Sequence, residues 1–372
     1  MRKNKEAFLE QIADLPDERN GASWRFQVEN SITSLKELSR YLKEDFSLLE
    51  TTVQAYPLRI TPYYLALIIQ HGAPLYRQAV PDLQELNCQD DSDDPLKEEY
   101  FSPAPRLIHR YPDRVVLLLT NACATYCRHC MRKRMIGGKN AERLLDPIAP
   151  FPMEQAIQYI HDHRKVTDII LSGGDPLMID TKALTKILKR IKTIRHVETI
   201  RIHTRTPATL PQRITDSLVS ELKTFKPLFV NIQFNHPLEM TDAARRACDK
   251  LADAGIPLGS QSVLLKGVND DAATLKRLFK TLLSARIRPY YLHHPDPVKG
   301  AAHFRPSIQQ GITIMKQLRG HISGMSIPHY MIDLPGGGGK IPLFPDYVVA
   351  RKDSHLTVQN FQGECFLYPD GH

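Results

Sequence analysis

Three cysteines fall within eight residues of each other, in Asn121-Ala122-Cys123-Ala124-Thr125-Tyr126-Cys127-Arg128-His129-Cys130, a C-x3-C-x2-C spacing. Thiols gathered this closely on one loop suggest metal chemistry before packing. A structural zinc site wants four closed ligands, and His129 could complete one. Iron–sulfur clusters are held by thiolates too, normally four, so three would leave one iron open to an exogenous ligand. Three buried cysteines without metal are the plainest alternative. The remaining cysteines, Cys88, Cys248 and Cys365, are dispersed singletons, which suits a reducing compartment better than a disulfide framework.

A second motif lies near the other end of the chain, Asp333-Leu334-Pro335-Gly336-Gly337-Gly338-Gly339-Lys340. A phosphate-binding P-loop would need glycine six residues before the lysine and Ser or Thr after it. Leu334 and Ile341 stand there instead. Two readings remain. The glycines could form a flexible turn beside a solvated lysine. Alternatively, backbone without side chains lets a bulky planar cofactor approach, and a desolvated lysine can bind a carbonyl covalently, as pyridoxal phosphate lysines do.

The elements that must position these groups alternate. Residues 1 to about 88 read as helical: Ser34-Leu35-Lys36-Glu37 is a capping box, with Leu38 and Leu42 on one face. Thr61-Pro62 supplies an N-cap and an N1 proline before the apolar run Tyr63 to Ile69. The acidic stretch Gln89 to Pro95 reads as a solvated linker. From Arg114 onward, β-branched runs alternate with helical patterns. The candidate strands are Val115–Thr120, Asp168–Leu171, Thr199–His203, Phe229–Phe234, Leu258–Leu264 and Pro289–His293. Helical stretches such as Thr181–Ile191, Thr241–Ala254 and Asp270–Ala285 lie between them. Such alternation predicts an α/β fold of parallel strands with right-handed crossovers. Six units fit before residue 320, too few for a closed eightfold barrel of ~250 residues, so an open partial (β/α)6 barrel is expected. The expected divisions are residues 1–105 (helical region and linker), 106–320 (barrel) and 321–372 (a C-terminal segment that carries Lys340 and covers one mouth).

Composition narrows the class. Charged residues make up 24% and hydrophobic residues 42% of 372, ordinary values for a globular protein. The longest apolar run is far below the roughly 18 residues of a membrane helix, and no apolar segment follows the basic start Met1-Arg2-Lys3, so a cytoplasmic enzyme is expected. The net charge of +8 comes from scattered rather than striped basic residues, which suits anionic small molecules better than nucleic acid.

The cysteine spacing, on a loop after the first barrel strand, resembles that of the radical S-adenosylmethionine superfamily. The resemblance implies a [4Fe–4S] cluster on Cys123, Cys127 and Cys130, S-adenosylmethionine on the open iron and an external electron donor. In register with it, the turn Ser172-Gly173-Gly174-Asp175-Pro176 after the second strand becomes a contact for that cofactor. Pro-Gly-Gly-Gly-Gly-Lys in such a chain looks like the lysine 2,3-aminomutase family. Other blocks shared with the family include His109-Arg110-Tyr111-Pro112-Asp113-Arg114, Arg205-Thr206-Pro207, Phe234-Asn235-His236-Pro237 and Gln261-Ser262-Val263.

The family likeness implies that Lys340 carries pyridoxal 5′-phosphate, with Arg110 and Arg114 beside Tyr111 for its phosphate. Gln261 is a further pocket residue, and His236 a further S-adenosylmethionine contact. Arg132 matches the family arginine that meets the substrate carboxylate, and a guanidinium fork suits that task. Asp296 and Asp333 match the two aspartates that meet the ε-ammonium of lysine. Blander roles exist for each: Arg132 sits in the basic run Arg132-Lys133-Arg134, both aspartates are turn formers, and Arg110 and Arg114 could neutralise the acidic linker.

Two features depart from the family pattern. Cys365 stands alone in the C-terminal segment and Asp271 replaces a cysteine of longer members, so no structural zinc is expected and the homo-oligomer that is expected lacks that support. Gly300-Ala301-Ala302-His303-Phe304 is similar to a sister branch that makes β-lysine for modifying elongation factor P. Lys299, three residues from Asp296, could pair with it and weaken the claim for free lysine. The expected activity is interconversion of L-lysine and β-lysine, with the elongation-factor role or an arginine substrate as alternatives. A basic zinc-bearing nucleic-acid module, or a degenerate homologue serving as a structural partner, are the rivals from other classes.

Overall fold

A computed structural model describes residues 23–87, 91–137, 153–352 and 354–370. Cys88, the start at Met1 and the first two residues of the acidic stretch lie outside them. All six expected strands are present: β2 (Arg114–Thr120), β3 (Asp168–Gly173), β4 (Thr199–Thr204), β5 (Leu228–Ile232), β6 (Leu258–Val263) and β7 (Ile287–His293), each parallel to the next. Among the described residues the sheet has nine strands. β1 (Leu107–Tyr111) pairs antiparallel with β2, β8 (His329–Leu334) adds a seventh parallel strand, and β9 (Gly339–Leu343) returns antiparallel to β8. The first strands of the C-terminal segment therefore extend the barrel wall itself, where a cover over one mouth was expected. A separate three-stranded sheet follows, β10 (Val348–Lys352), β11 (His355–Gln359) and β12 (Cys365–Pro369).

The parallel strands read in twos. Ile169 and Leu171, Ile200 and Ile202, Val230 and Ile232 turn outward into the main core. There they meet Leu184 and Leu188 of helix Thr181–Lys192, Leu251 of Asp242–Asp253 and Leu278 of Ala272–Ser284. The intervening residues, Asp168, Ser172, Arg201, His203, Asn231, Gln233 and Gln261, line a cavity. Parallel sheets covered by helices on both faces usually run continuously apolar. Here one face borders an open interior, so polar residues alternate with the core residues.

The described part of the N-terminal region, residues 23–87, is helical as expected. Ser34 and Glu37 form the capping box of helix Leu35–Leu42, and Thr61 caps Pro62–His71. That second helix is buried almost throughout and is the centre of its own apolar cluster with Leu38, Leu49 and Leu75. The acidic stretch departs from its expected role as a solvated linker. Asp91 is buried against Arg305 (2.9 Å), Asp93 binds Lys299 (2.8 Å), and Ser92 exchanges backbone hydrogen bonds with the loop at 297–299. One buried ion pair, one exposed pair and a backbone bridge dock the strap on the barrel. Among the described residues no helix is long and apolar enough to cross a membrane.

Candidate active site

The cavity encloses about 560 Å³ and is lined by all three clustered cysteines and by Lys340. The cysteine loop leaves the carboxyl end of β2, where parallel α/β folds gather their chemistry. Two glycines on the neighbouring loop hold it closely. Gly174 N–H donates to Thr120 O (2.5 Å) and Asp175 N–H to Ala122 O (2.7 Å). A Cβ on Gly173, at φ +130°, would lie 2.3 Å from Thr120 O, and one on Gly174 2.3 Å from Ala122 O. The pair is thus required by backbone approach. Asp175 is engaged within the protein, accepting from Thr204 Oγ1 (2.7 Å) and from the N–H groups of Arg205 (2.7 Å), Thr206 (3.0 Å) and Leu177 (3.0 Å).

A buried ion cluster supports the cysteine loop from behind. Arg128 grips the fully buried Glu85 (2.7 Å), which also takes Lys133 (2.8 Å). Lys133 reaches Gly300 O (2.6 Å) as well, tying the loop to the Gly-Ala-Ala-His-Phe segment. Burial pushes the Cys130 thiol up to about 11, with Cys127 adding to it, and raises the Cys123 thiol well above its ordinary value, with Asp175 and the other two thiols adding. Such thiols stay protonated unless a metal takes the proton's place. Cys127 has the Arg205 guanidinium against its sulfur. Among the described residues no three His, Cys, Asp or Glu side chains converge on a single-ion site. A multi-iron cluster spreads its thiolates over several irons, and the donor set fits that group.

The lysine region is built from edge strands. Register places Lys340 of β9 opposite Asp333 of β8, and their side chains form an ion pair. Arg110 of β1 binds the other Asp333 oxygen (2.8 Å), and the Tyr111 hydroxyl accepts the Lys340 backbone N–H (2.8 Å). Burial would raise the Asp333 carboxyl, but Lys340 and Arg110 outweigh it and hold the group below its ordinary value. Arg114 pairs with Asp113 (2.8 Å) and lies over the Tyr111 ring. Neither arginine pairs with the acidic strap among the described residues.

Asp296 lines the cavity without an ion pair among the described residues, and burial together with Asp333 pushes it up to about 7. Lys299 does not pair with it, being held by Asp93. Arg132 lines the cavity too, gripped by Glu98 through three contacts of 2.7 to 3.1 Å, with Ser172 Oγ 3.3 Å from Nη1. It is no free surface arginine. Gln261 is part of the lining, whereas His236 is not: its ring caps the turn Pro237–Glu239 by accepting from Leu238 N–H (3.3 Å). Asp271 caps helix Ala272–Ser284, its side chain accepting from Thr274 N–H.

Several lining residues had no signal of their own in the sequence. Glu98 is one. Arg201 and Asp168 form another pair across β3 and β4 (2.5 Å). His203 and His293 are pushed down to about 3 by burial and by nearby cations, and so stay neutral. A wall with Arg110, Arg114 and Arg201 near a lysine and an aromatic ring fits an anionic, planar cofactor.

The chain is similar to known proteins. Residues 315–372 match the lysine-2,3-aminomutase family and residues 117–278 the radical SAM superfamily. The chain is 43% identical to an L-lysine 2,3-aminomutase of Fusobacterium nucleatum over 354 residues, covering 93% of this chain and 82% of that protein. It is 44% identical to that of Clostridium subterminale over 353 residues (93% and 84%). At lower identity, 37% over 373 residues (99% and 87%), it matches a glutamate 2,3-aminomutase of Clostridioides difficile. With two thirds or more of these relatives' length covered at such identity, the chain belongs to the lysine 2,3-aminomutase family of radical SAM enzymes.

Proposed function

We propose that this chain is an L-lysine 2,3-aminomutase, interconverting L-lysine and β-lysine. One observation carries the reading: a single cavity is lined by three thiols, Lys340, the clamped Arg132 and the aspartates Asp296 and Asp333, of which Asp296 has no ion pair among the described residues. A radical SAM domain implies a [4Fe–4S] cluster and S-adenosylmethionine. Cys123, Cys127 and Cys130 would hold the first, and Ser172, Gly173 and Gly174 would border the second. Lys340 would hold pyridoxal phosphate, with Arg110, Tyr111, Arg114 and Gln261 around it. When bound, these groups supply a hydrogen-abstracting radical and a π-system that lets nitrogen pass between adjacent carbons.

The protein's own part is positioning. Glu98 fixes the Arg132 fork, and Nη1 is the arm a substrate carboxylate would take. Asp296 and Asp333 raise each other's cost of ionisation, and a substrate ammonium between them relieves it. An ammonium there supplies the charge that Lys340 gives Asp333 in its absence. A glutamate side chain would instead bring a third carboxylate to this place. Neutral His203 and His293 keep the wall polar without adding charge.

The test is an anaerobic assay of cluster-reconstituted protein with S-adenosylmethionine, pyridoxal phosphate, a reductant and lysine, arginine and glutamate together. β-Lysine is the expected product. β-Arginine alone would sink the lysine assignment, and 5′-deoxyadenosine without any β-amino acid would sink the substrate class.

A further inference from the structure

Arg205 follows β4 directly and is buried. Its Nη1 donates to Cys127 Sγ (2.6 Å). Its Nη2 donates to Glu239 Oε1 (2.5 Å) and Gln78 Oε1 (2.7 Å), and lies 3.1 Å from the Tyr64 hydroxyl. Its Nε–H is buried without a hydrogen-bond partner among the described residues, so one donor is left for an acceptor brought into the cavity that Arg205 lines. Glu239 is fully buried and is held in turn by the Tyr64 hydroxyl (2.8 Å) and the N–H groups of Asn235 (2.6 Å) and His236 (3.1 Å).

We propose that Arg205 tunes the reduction potential of the cluster held by Cys123, Cys127 and Cys130, with Glu239 as its electrostatic counterweight. The role rests on reading the three cysteines as cluster ligands. Taking up an electron makes a cluster more negative. A cationic donor on a ligand sulfur stabilises that form more than the oxidised one and raises the potential. Burial keeps the effect from being screened by solvent. Glu239, one guanidinium away, subtracts from it. The geometry therefore gives the two residues opposite signs, which a merely structural role does not. It also gives His236 a place: its backbone N–H holds the counterweight, while its ring caps the turn that carries Glu239.

The test uses the reconstituted full chain without substrate. Iron and sulfide are counted, and the midpoint potential is read by anaerobic redox titration followed by electron paramagnetic resonance. Arg205→Gln is expected to shift the potential downward, Arg205→Lys to shift it down less, and Glu239→Gln to shift it upward. Unchanged potentials, or shifts of the same sign in Arg205→Gln and Glu239→Gln, would overturn the proposal. Should Arg205→Gln fail to hold a cluster, Arg205→Lys against Glu239→Gln decides by the same criterion. A wild-type chain that takes up no iron would overturn the cluster reading and this role with it, on a readout separate from aminomutase activity.

Discussion

The cysteine region and the lysine region of the cavity wall handle buried charge differently. Behind the cysteine loop, Glu85 binds both Arg128 and Lys133, and Glu239 binds Arg205, all inside the protein. In the lysine region, Asp333 shares Arg110 and Lys340, while Asp296 has no ion pair among the described residues. In the first arrangement each carboxylate has its cation before any ligand arrives, and the network supports one loop. The second leaves Asp296 without a cation, which on the proposed reading an arriving substrate ammonium supplies. A resident group and an exchanging substrate ask for these two kinds of wall.

Breaking the lysine region at its centre has the largest expected effect. Lys340→Ala should lower lysine turnover by on the order of 10³-fold or more and abolish the visible absorption of lysine-bound pyridoxal phosphate, with iron content unchanged. Retained absorption would show that another group anchors the cofactor. In the cysteine region, Glu85→Ala leaves Arg128 and Lys133 buried without their anion. A loss of about 3–5 kcal/mol in denaturant unfolding is expected, together with poorer iron retention. A loss below 1 kcal/mol would mean that this network is not the support described.

Asp296→Asn should raise the KM for lysine by about 10–100-fold with a smaller change in kcat, as loss of a charged hydrogen bond implies. The same carboxyl sets a pH dependence. Its value of about 7 means that it takes up a proton as the pH falls below neutrality, so lysine KM should rise by up to about tenfold per unit there. The variant should lose that slope, and a slope that persisted would assign it to another group. Smallest is Lys299→Ala: its exposed pair with Asp93 is worth about 0.2–1 kcal/mol, and lysine KM should stay within about twofold. A larger change in KM would place Lys299 back beside Asp296.

What the sequence made legible was local. The six strands β2 to β7 announce themselves as β-branched runs between helical patterns, and the cysteines, the glycine pair and Lys340 by their spacing. β8 and β9 were hidden because His329 to Leu343 holds four consecutive glycines and two prolines, signals of a turn rather than of a wall. The partners of the site were hidden for another reason. Glu98 lies 34 residues from Arg132, and Glu85 43 from Arg128, so only the fold brings them together. Arg205 stood in a block shared with the family, yet nothing local tied it to a cysteine 78 residues earlier. The acidic stretch shows the converse error: charge density suggested solvent, and tertiary ion pairs decided otherwise.

The twofold alternation along the barrel strands behaves like a reading frame. Odd and even positions serve two different customers, the shell and the cavity, from one stretch of chain. A substitution touches one of them. A single residue inserted or deleted within a strand would exchange all positions beyond it, turning isoleucines into the cavity and arginine or histidine into the core. Variation in these strands should therefore be read as replacement at fixed length, with changes of length confined to the loops between them.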